Sequence, residues 1–276
     1  VLAQSTPSTF QVSETGAAVY EVPIKVPPGT AGMEPRLSLA YNSQHGNGLL
    51  GMGWSLSGLS TITRCPRTLA QDGVRGGVNF DSNDRFCMDG MRLVAVSGSY
   101  GANGTEYRTE RESFSRIVSY GQVTGPGSGP QWFKVWTKSG QILEYGNDSP
   151  DYNSRIEVQS TVTDTVRLWA LNKVTDTSGN YFTISYIEDR TNGDFRPDRI
   201  DYTGTSSTAA IASVRFTYEA RSDIAPAYIT GSKVEIRNRL INVKTYSSAT
   251  QLVRDYRLQY GSSPLTARSM LGSIWE

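Results

Sequence analysis

The chain has 276 residues, with 27 Lys and Arg against 26 Asp and Glu, for a formal net charge of +1. That length is too great for a disulfide-stapled mini-protein and ample for one large core or two modest ones. The balanced charge excludes the basic excess of a nucleic-acid binder. No run approaches the roughly 18 apolar residues of a membrane span. The 15 Tyr, 8 Phe and 5 Trp argue against disorder, and a single histidine, His45, excludes chemistry that needs two.

Helical periodicity is nearly absent. Short runs rich in Val, Ile, Thr, Tyr and Phe alternate apolar with polar residues, the pattern of half-buried strands. In chain order, Pro27-Pro28-Gly29 forces an extended segment and a turn. Leu37, Leu39 and Tyr41 alternate, so one face of that strand is buried. Gly48, Gly51 and Gly53 free the backbone to turn before Trp54, a core anchor whose indole N–H needs a partner. Cys65 and Cys87 make neither a disulfide framework nor a four-sulfur zinc site; one bridge and two buried thiols both remain open.

Asp89-Gly90 separates residues 85–88 from 91–94 and predicts a two-residue type I′ hairpin, which requires positive φ at both places. Ser139-Gly140 divides 133–136 from 142–145, and Ser178-Gly179-Asn180 divides 168–174 from 181–186. Asn192-Gly193 and Asn238-Arg239 mark further reversals. Residues 213–218, 233–236 and 240–246 read as strands. Hairpin thus follows hairpin, an antiparallel meander. Residues 121–130 and 203–210, rich in Gly, Pro, Ser and Thr, read as flexible loops. The one expected helical turn is Pro264–Met270, with Ser263 as its cap. At the ends, Val1-Leu2-Ala3-Gln4 resembles the tail of a secretory cleavage site, and Ile274-Trp275-Glu276 reads as a cut inside a longer polypeptide.

Residues 175–186, a polar Gly-Asn turn followed by a strand closing on Tyr186, resemble the tyrosine-aspartate repeat of Rhs proteins, and residues 137–145 give a weaker copy. The wider resemblance lies in collinear segments: Phe10 to Gly32, Pro35 to Ser43, Gly46 to Gly58, Ile62 to Arg67, Asp84 to Gly90, Phe133 to Gly140 and Trp169 to Lys173. Together they are similar to the SpvB/TcaC N-terminal domain of Tc-toxin B components and Salmonella SpvB-type toxins, over essentially the whole chain. Collinear motifs of this length are more specific than one short pattern. The resemblance implies a single domain over residues 1–276, within a longer secreted protein assembled in the cytoplasm before release.

Each candidate for chemistry has a plainer structural account. The glycines before Trp54 lack the Gly-Lys-Ser/Thr and the helix of a phosphate loop. His45 stands in a turn where the family usually has a small residue, and a solvated turn residue is the favoured reading. Glu110-Arg111-Glu112 matches the Glu-x-Glu of ADP-ribosyltransferases. In SpvB, however, that activity belongs to a separate C-terminal domain, and alternating charges on a strand rim suffice. Asp81-Ser82-Asn83-Asp84 and Asp189 to Asp194 offer oxygens but not a calcium-loop spacing, and Asx-turns explain both. Trp132, Trp136, Trp169, Tyr145, Tyr181 and Tyr186 form a glycan or protein surface if exposed, and ordinary cross-strand packing otherwise.

The expected fold is all-β, with antiparallel hairpins in extended curved sheets and few or no helices. No catalytic, cofactor or metal residues are assigned. The resemblance implies a non-enzymatic shell and docking domain, with the Tc A and C components or an Rhs-repeat remainder of the same chain as partners. A secreted carbohydrate- or host-surface-binding module is the alternative. An enzyme with an unrecognised carboxylate site has the least support.

Overall fold

The amino-terminal segment begins with alternation strong enough to set its own register. In the computed structural model, which describes residues 8–123, 129–158 and 165–276, β1 (Thr9–Val12), β2 (Ala18–Ile24), β3 (Leu37–Asn42) and, after the two-residue β4 (Asn47–Gly48) and β5 (Gly51–Met52), β6 (Trp54–Ser57) build a four-stranded antiparallel sheet in the order β1-β2-β3-β6. Val22 pairs with Leu39 and Leu39 with Leu56. Val22, Ile24, Leu37 and Leu39 are buried, as the alternation requires. One row along the same face, Phe10, Tyr20, Tyr41 and Trp54, stays in register across all four strands. Trp54 is only half-buried there, its ring 5.5 Å from that of Tyr41 and 6.1 Å from that of Tyr20. It is a rim residue, not the core anchor expected.

The next stretch is a meander: β7 (Thr61–Cys65), a single helical turn α1 (Leu69–Asp72), β8 (Arg85–Met88), β9 (Met91–Ser97), β10 (Glu106–Thr109), β11 (Arg116–Tyr120), β12 (Trp132–Trp136), β13 (Ile142–Tyr145), β14 (Arg155–Glu157), β15 (Val166–Thr175) and β16 (Tyr181–Asp189). Asp89 and Gly90 both have positive φ, 48° and 82°, so the β8–β9 hairpin closes as the sequence predicts. The sheet curves until it meets itself. Ala170 turns its N–H to Ser154 and its carbonyl to Gly146, while the Leu171 N–H goes to Ser60. Successive residues face opposite strand edges, so β13 and β7 lie on opposite sides of β15. The pairings β7-β8-β9-β10-β11-β12-β13-β15-β7 therefore form a closed ring of eight strands.

Eight strands leave an interior just wide enough for side chains. Here aromatic rings fill it. Trp169, Phe133, Tyr107 and Phe86 are buried and meet edge to face, with centroids 5.1 Å apart for Phe133–Trp169, 5.4 Å for Phe86–Trp169 and 5.4 Å for Phe86–Phe133. The ring is thus a packed core, not a pore. The Cys65 and Cys87 sulfurs are joined, and their Cα atoms are 5.9 Å apart, within the span a disulfide bridges.

The remaining strands are β17 (Asp194–Gly204), β18 (Ala212–Ala220), β19 (Ala227–Ile229), β20 (Ser232–Val234), β21 (Asn238–Tyr246), β22 (Leu252–Ser262) and β23 (Ser269–Trp275). β17, β18, β21, β22 and β23 pair in that order, all antiparallel. The chain divides into two compact units: Val1–Leu59 with Arg196–Ala225 and Ile236–Glu276, and Ser60–Phe195 with Pro226–Glu235. In the first unit Tyr202 donates to the Pro27 carbonyl at 3.0 Å, and the Lys25 N–H donates to the Tyr256 hydroxyl at 3.0 Å. The two hydroxyls thus tie the segment after β2 to the large meander beneath it.

Two further expectations are corrected. Asn238-Arg239 is no reversal: both residues open β21, paired with Ala220 and Glu219. Pro264–Met270 is not helical. Ser263 does accept from the Thr266 N–H at 3.3 Å, but the segment is a turn between β22 and β23, and β23 already claims Ser269 and Met270. The α-helical turn lies at α1, where Thr68 caps the Gln71 N–H at 3.2 Å and Gly73 ends it with φ of 69°. Of the two expected loops, 203–210 begins inside β17 and turns at residues 205–210, while residues 124–128 of the other lie outside the described residues, as does Val1-Leu2-Ala3-Gln4.

Candidate functional site

The residues singled out for chemistry are dispersed. His45 is exposed in a turn, its N–H on the Asn42 carbonyl at 3.0 Å. Glu110-Arg111-Glu112 follows β10 and does not form a strand rim. Glu110 accepts from Gln71 at 2.7 Å, and Glu112 from the Phe114 N–H at 2.5 Å. Asp81 makes an Asx-turn to the Asn83 N–H at 2.8 Å, and Asp189 accepts from the Asn192 N–H, three residues on, at 3.2 Å. Among the described residues no group of three or more His, Cys, Asp or Glu is placed to hold a metal ion.

Of the six aromatics, Trp169, Tyr145 and Tyr186 are buried. The Trp169 indole donates to the Pro130 and Gln131 carbonyls at 3.2 and 3.1 Å. The other three face outward with engaged rings. Trp132 stacks on Tyr120 at 4.3 Å. Trp136 lies under Arg116 and Lys134 at 4.7 and 5.3 Å, and Tyr181 under Lys173 at 4.9 Å.

What the fold concentrates instead is buried charge in three internal braces. The first joins three sequence-distant pieces of the first unit. Asp223 receives both sides of the Arg221 guanidinium, each at 2.8 Å. Arg221 also donates to the Gly48 carbonyl at 2.6 Å and the Asn47 side chain at 2.5 Å. Asn47 donates to Asp223 at 3.0 Å, and Ser269 donates through its N–H and its hydroxyl, at 2.6 and 2.8 Å. Those bonds, the Arg221 pair foremost, hold the Asp223 carboxyl far below the usual carboxylate range against the opposing effect of burial. The glycine-rich segment is shaped for this contact. Gly51 has φ of 81°, and a Cβ there would stand 2.4 Å from the Ser269 carbonyl oxygen.

The second brace lies inside the barrel. Arg64 donates to Asp84 at 3.1 Å and to the Val166 carbonyl at 2.7 Å, with its guanidinium 5.8 Å from the Trp169 ring centre. Asp84 accepts in turn from the Asn79 N–H at 2.8 Å.

In the third, Arg92 reaches both Asp72 oxygens at 2.6 Å, and Arg85 and the Thr68 N–H each reach it at 2.9 Å. Burial pushes the Asp72 carboxyl up, but Arg92, the Thr68 N–H and Arg85 outweigh it and bring it down to about 2. An unfolded Asp titrates near about 3.9. The contribution of this brace is therefore complete above about pH 4 and is lost as the pH falls toward the folded value. The stability gap between wild type and Asp72→Asn, read from urea unfolding across the acid range, is expected to be full at neutral pH and to close by about pH 2.

Sequence reading missed every brace, because the partners lie tens to hundreds of positions apart. The one local signal was an Arg and an Asp two residues apart, Arg221-Ser222-Asp223, just after a strand. Chemically these groups spend their hydrogen-bonding capacity on one another and on backbone, so they fix strands.

Such a fold is an all-β domain with a filled barrel whose buried charges serve as internal ties. The family model described as Salmonella virulence plasmid 65kDa B protein, SpvB, matches residues 12–256, and the chain belongs to that family. Its fold is similar to the crystal structure of TcdB2-TccC3, at TM-score 0.76 and 20% identity over 98% of this chain and 16% of that one. The N-terminal domain of effector protein SpvB from Salmonella typhimurium strain LT2 matches at TM-score 0.71 and 17% identity, over 92% of this chain and 97% of that one. The Photorhabdus luminescens Tc holotoxin pore matches at 0.73 and 21%, over 98% and 15%. The chain therefore spans about a sixth of the Tc chains it resembles. No curated protein sequence matches.

Proposed function

We propose that the chain is a non-enzymatic structural domain of a secreted bacterial toxin complex. It contributes to a β-sheet shell around a cytotoxic effector and to docking with the Tc A and C components or an Rhs-repeat remainder of its own chain. The observation that carries this reading is the alignment of 98% of the chain onto one part of the TcdB2-TccC3 chain. The physical logic is containment. Paired strands leave few free backbone groups, and a wall of this kind separates a cargo from solvent and proteases. A filled barrel does not hold cargo within itself, which favours a place in the wall. The buried ionic braces supply stiffness there.

In a toxin polypeptide carrying this domain, the enclosed effector is expected to resist added protease, and deletion of residues 12–256 is expected to expose it. Unchanged protection and unchanged A-component binding after the deletion would overturn the reading.

A further inference from the structure

The Cys65–Cys87 bridge joins β7 to β8 in the wall of the barrel. Both cysteines also line an open groove of about 670 Å³, together with Thr63, Gln71, Arg92 and Arg111. That volume is in the range of small-molecule sites. Its walls mix polar and apolar groups, and Arg111 and Glu110 are both exposed on its rim. Each cysteine is 8% exposed, so neither is sealed off in the aromatic core.

Two features keep the strands together independently of the sulfurs. The β7–β8 ladder pairs four residues on each strand, Ile62 with Met88 through Cys65 with Arg85. Asp72, within the excursion the bridge encloses, is held by Arg85 and Arg92.

We propose that this disulfide is a site of thiol–disulfide exchange, opened in the folded protein by a small anionic thiol of the glutathione class that enters the groove. The thiolate attacks one sulfur of the bridge, and the other leaves as a thiolate and takes a proton. A second thiol then resolves the mixed disulfide. Two small thiols become one small disulfide, and the protein gains two cysteine thiols. The barrel keeps its strands but loses a crosslink with a sequence separation of 22. Passage from an oxidising to a reducing medium thereby lowers its resistance to unfolding. This does not depend on the toxin-shell reading.

The test is reduction of the native chain by millimolar glutathione, with thiols counted by a chromogenic disulfide reagent. Two thiols per chain are expected within hours, at a rate unaffected by urea below the unfolding transition. The far-ultraviolet β spectrum is expected to be retained, and the thermal midpoint to fall by roughly 5–10 °C. Thiols that appear only in denaturant, or at a rate climbing steeply with urea, would show that the bridge opens by unfolding and would overturn the proposal. Arg111→Glu supplies a second reading that global stability does not move. It is expected to slow glutathione at least twofold relative to uncharged mercaptoethanol, and equal slowing of both would remove the groove from the mechanism.

Discussion

Replacing Asp223 with Ala is expected to destabilise the first unit by about 3–5 kcal/mol, because it strands a buried guanidinium. The Arg221 and Asp223 side chains are 1% and 5% exposed, so water cannot take over the lost partner. The change also removes the acceptor for Asn47 and for both donors of Ser269. Hydrogen exchange localises the effect. Protection is expected to fall at Asn47–Gly48 and along Ser269–Trp275, where the brace ties β4 to the start of β23. Arg221→Met combined with Asp223→Leu is expected to cost less than the two single changes summed, since neither charge is then left alone. Additive losses would mean that the pair is not coupled.

Trp169→Ala is expected to be as severe in the second unit, again about 3–5 kcal/mol, here through a cavity at the centre of the barrel. The ring is wholly buried and touches Phe86, Phe133 and the Arg64 guanidinium. Gly146 is fitted to it: a Cβ there would lie 2.7 Å from the indole Cδ1. Trp169→Phe is expected to be milder, yet still costly by about 1–3 kcal/mol, because the Pro130 and Gln131 carbonyls lose their donor. Thermal unfolding followed by near-ultraviolet circular dichroism reads both variants. A Trp169→Ala protein with the wild-type midpoint and aromatic spectrum would contradict the packed interior.

Local chemistry made much of the fold legible. Asp89-Gly90 announces its hairpin because only certain residues accept two successive positive φ values, and alternation at Leu37, Leu39 and Tyr41 announces a one-sided strand. Where meaning is set by tertiary partners, the sequence is silent or misleading. Asn238-Arg239 has turn-like composition but is drawn into β21 by pairing with Ala220 and Glu219. Trp54 reads as a core anchor and Trp169 as either a surface or a packing residue, and only ring closure shows that Trp169 is the enclosed one. α1 was legible in principle, since Thr68 and Gln71 are spaced as a capping box, but four residues carry no periodicity. The braces were out of reach: Asn47 and Asp223 acquire their roles only through each other.

The division of the chain also orders its own synthesis. Most of the second unit, Ser60–Phe195, is inserted between Leu59 and Arg196 of the first. At about 5–20 residues per second of translation, the β1–β6 segment emerges on the order of ten seconds before the strands it packs against. The inserted barrel, whose closing strand β15 ends at Thr175, is free to complete itself in that interval. Nascent β1–β6 meanwhile displays the apolar face of Val22, Leu39 and Leu56 without a cover. The apolar face made before the barrel is therefore covered only after the barrel is complete.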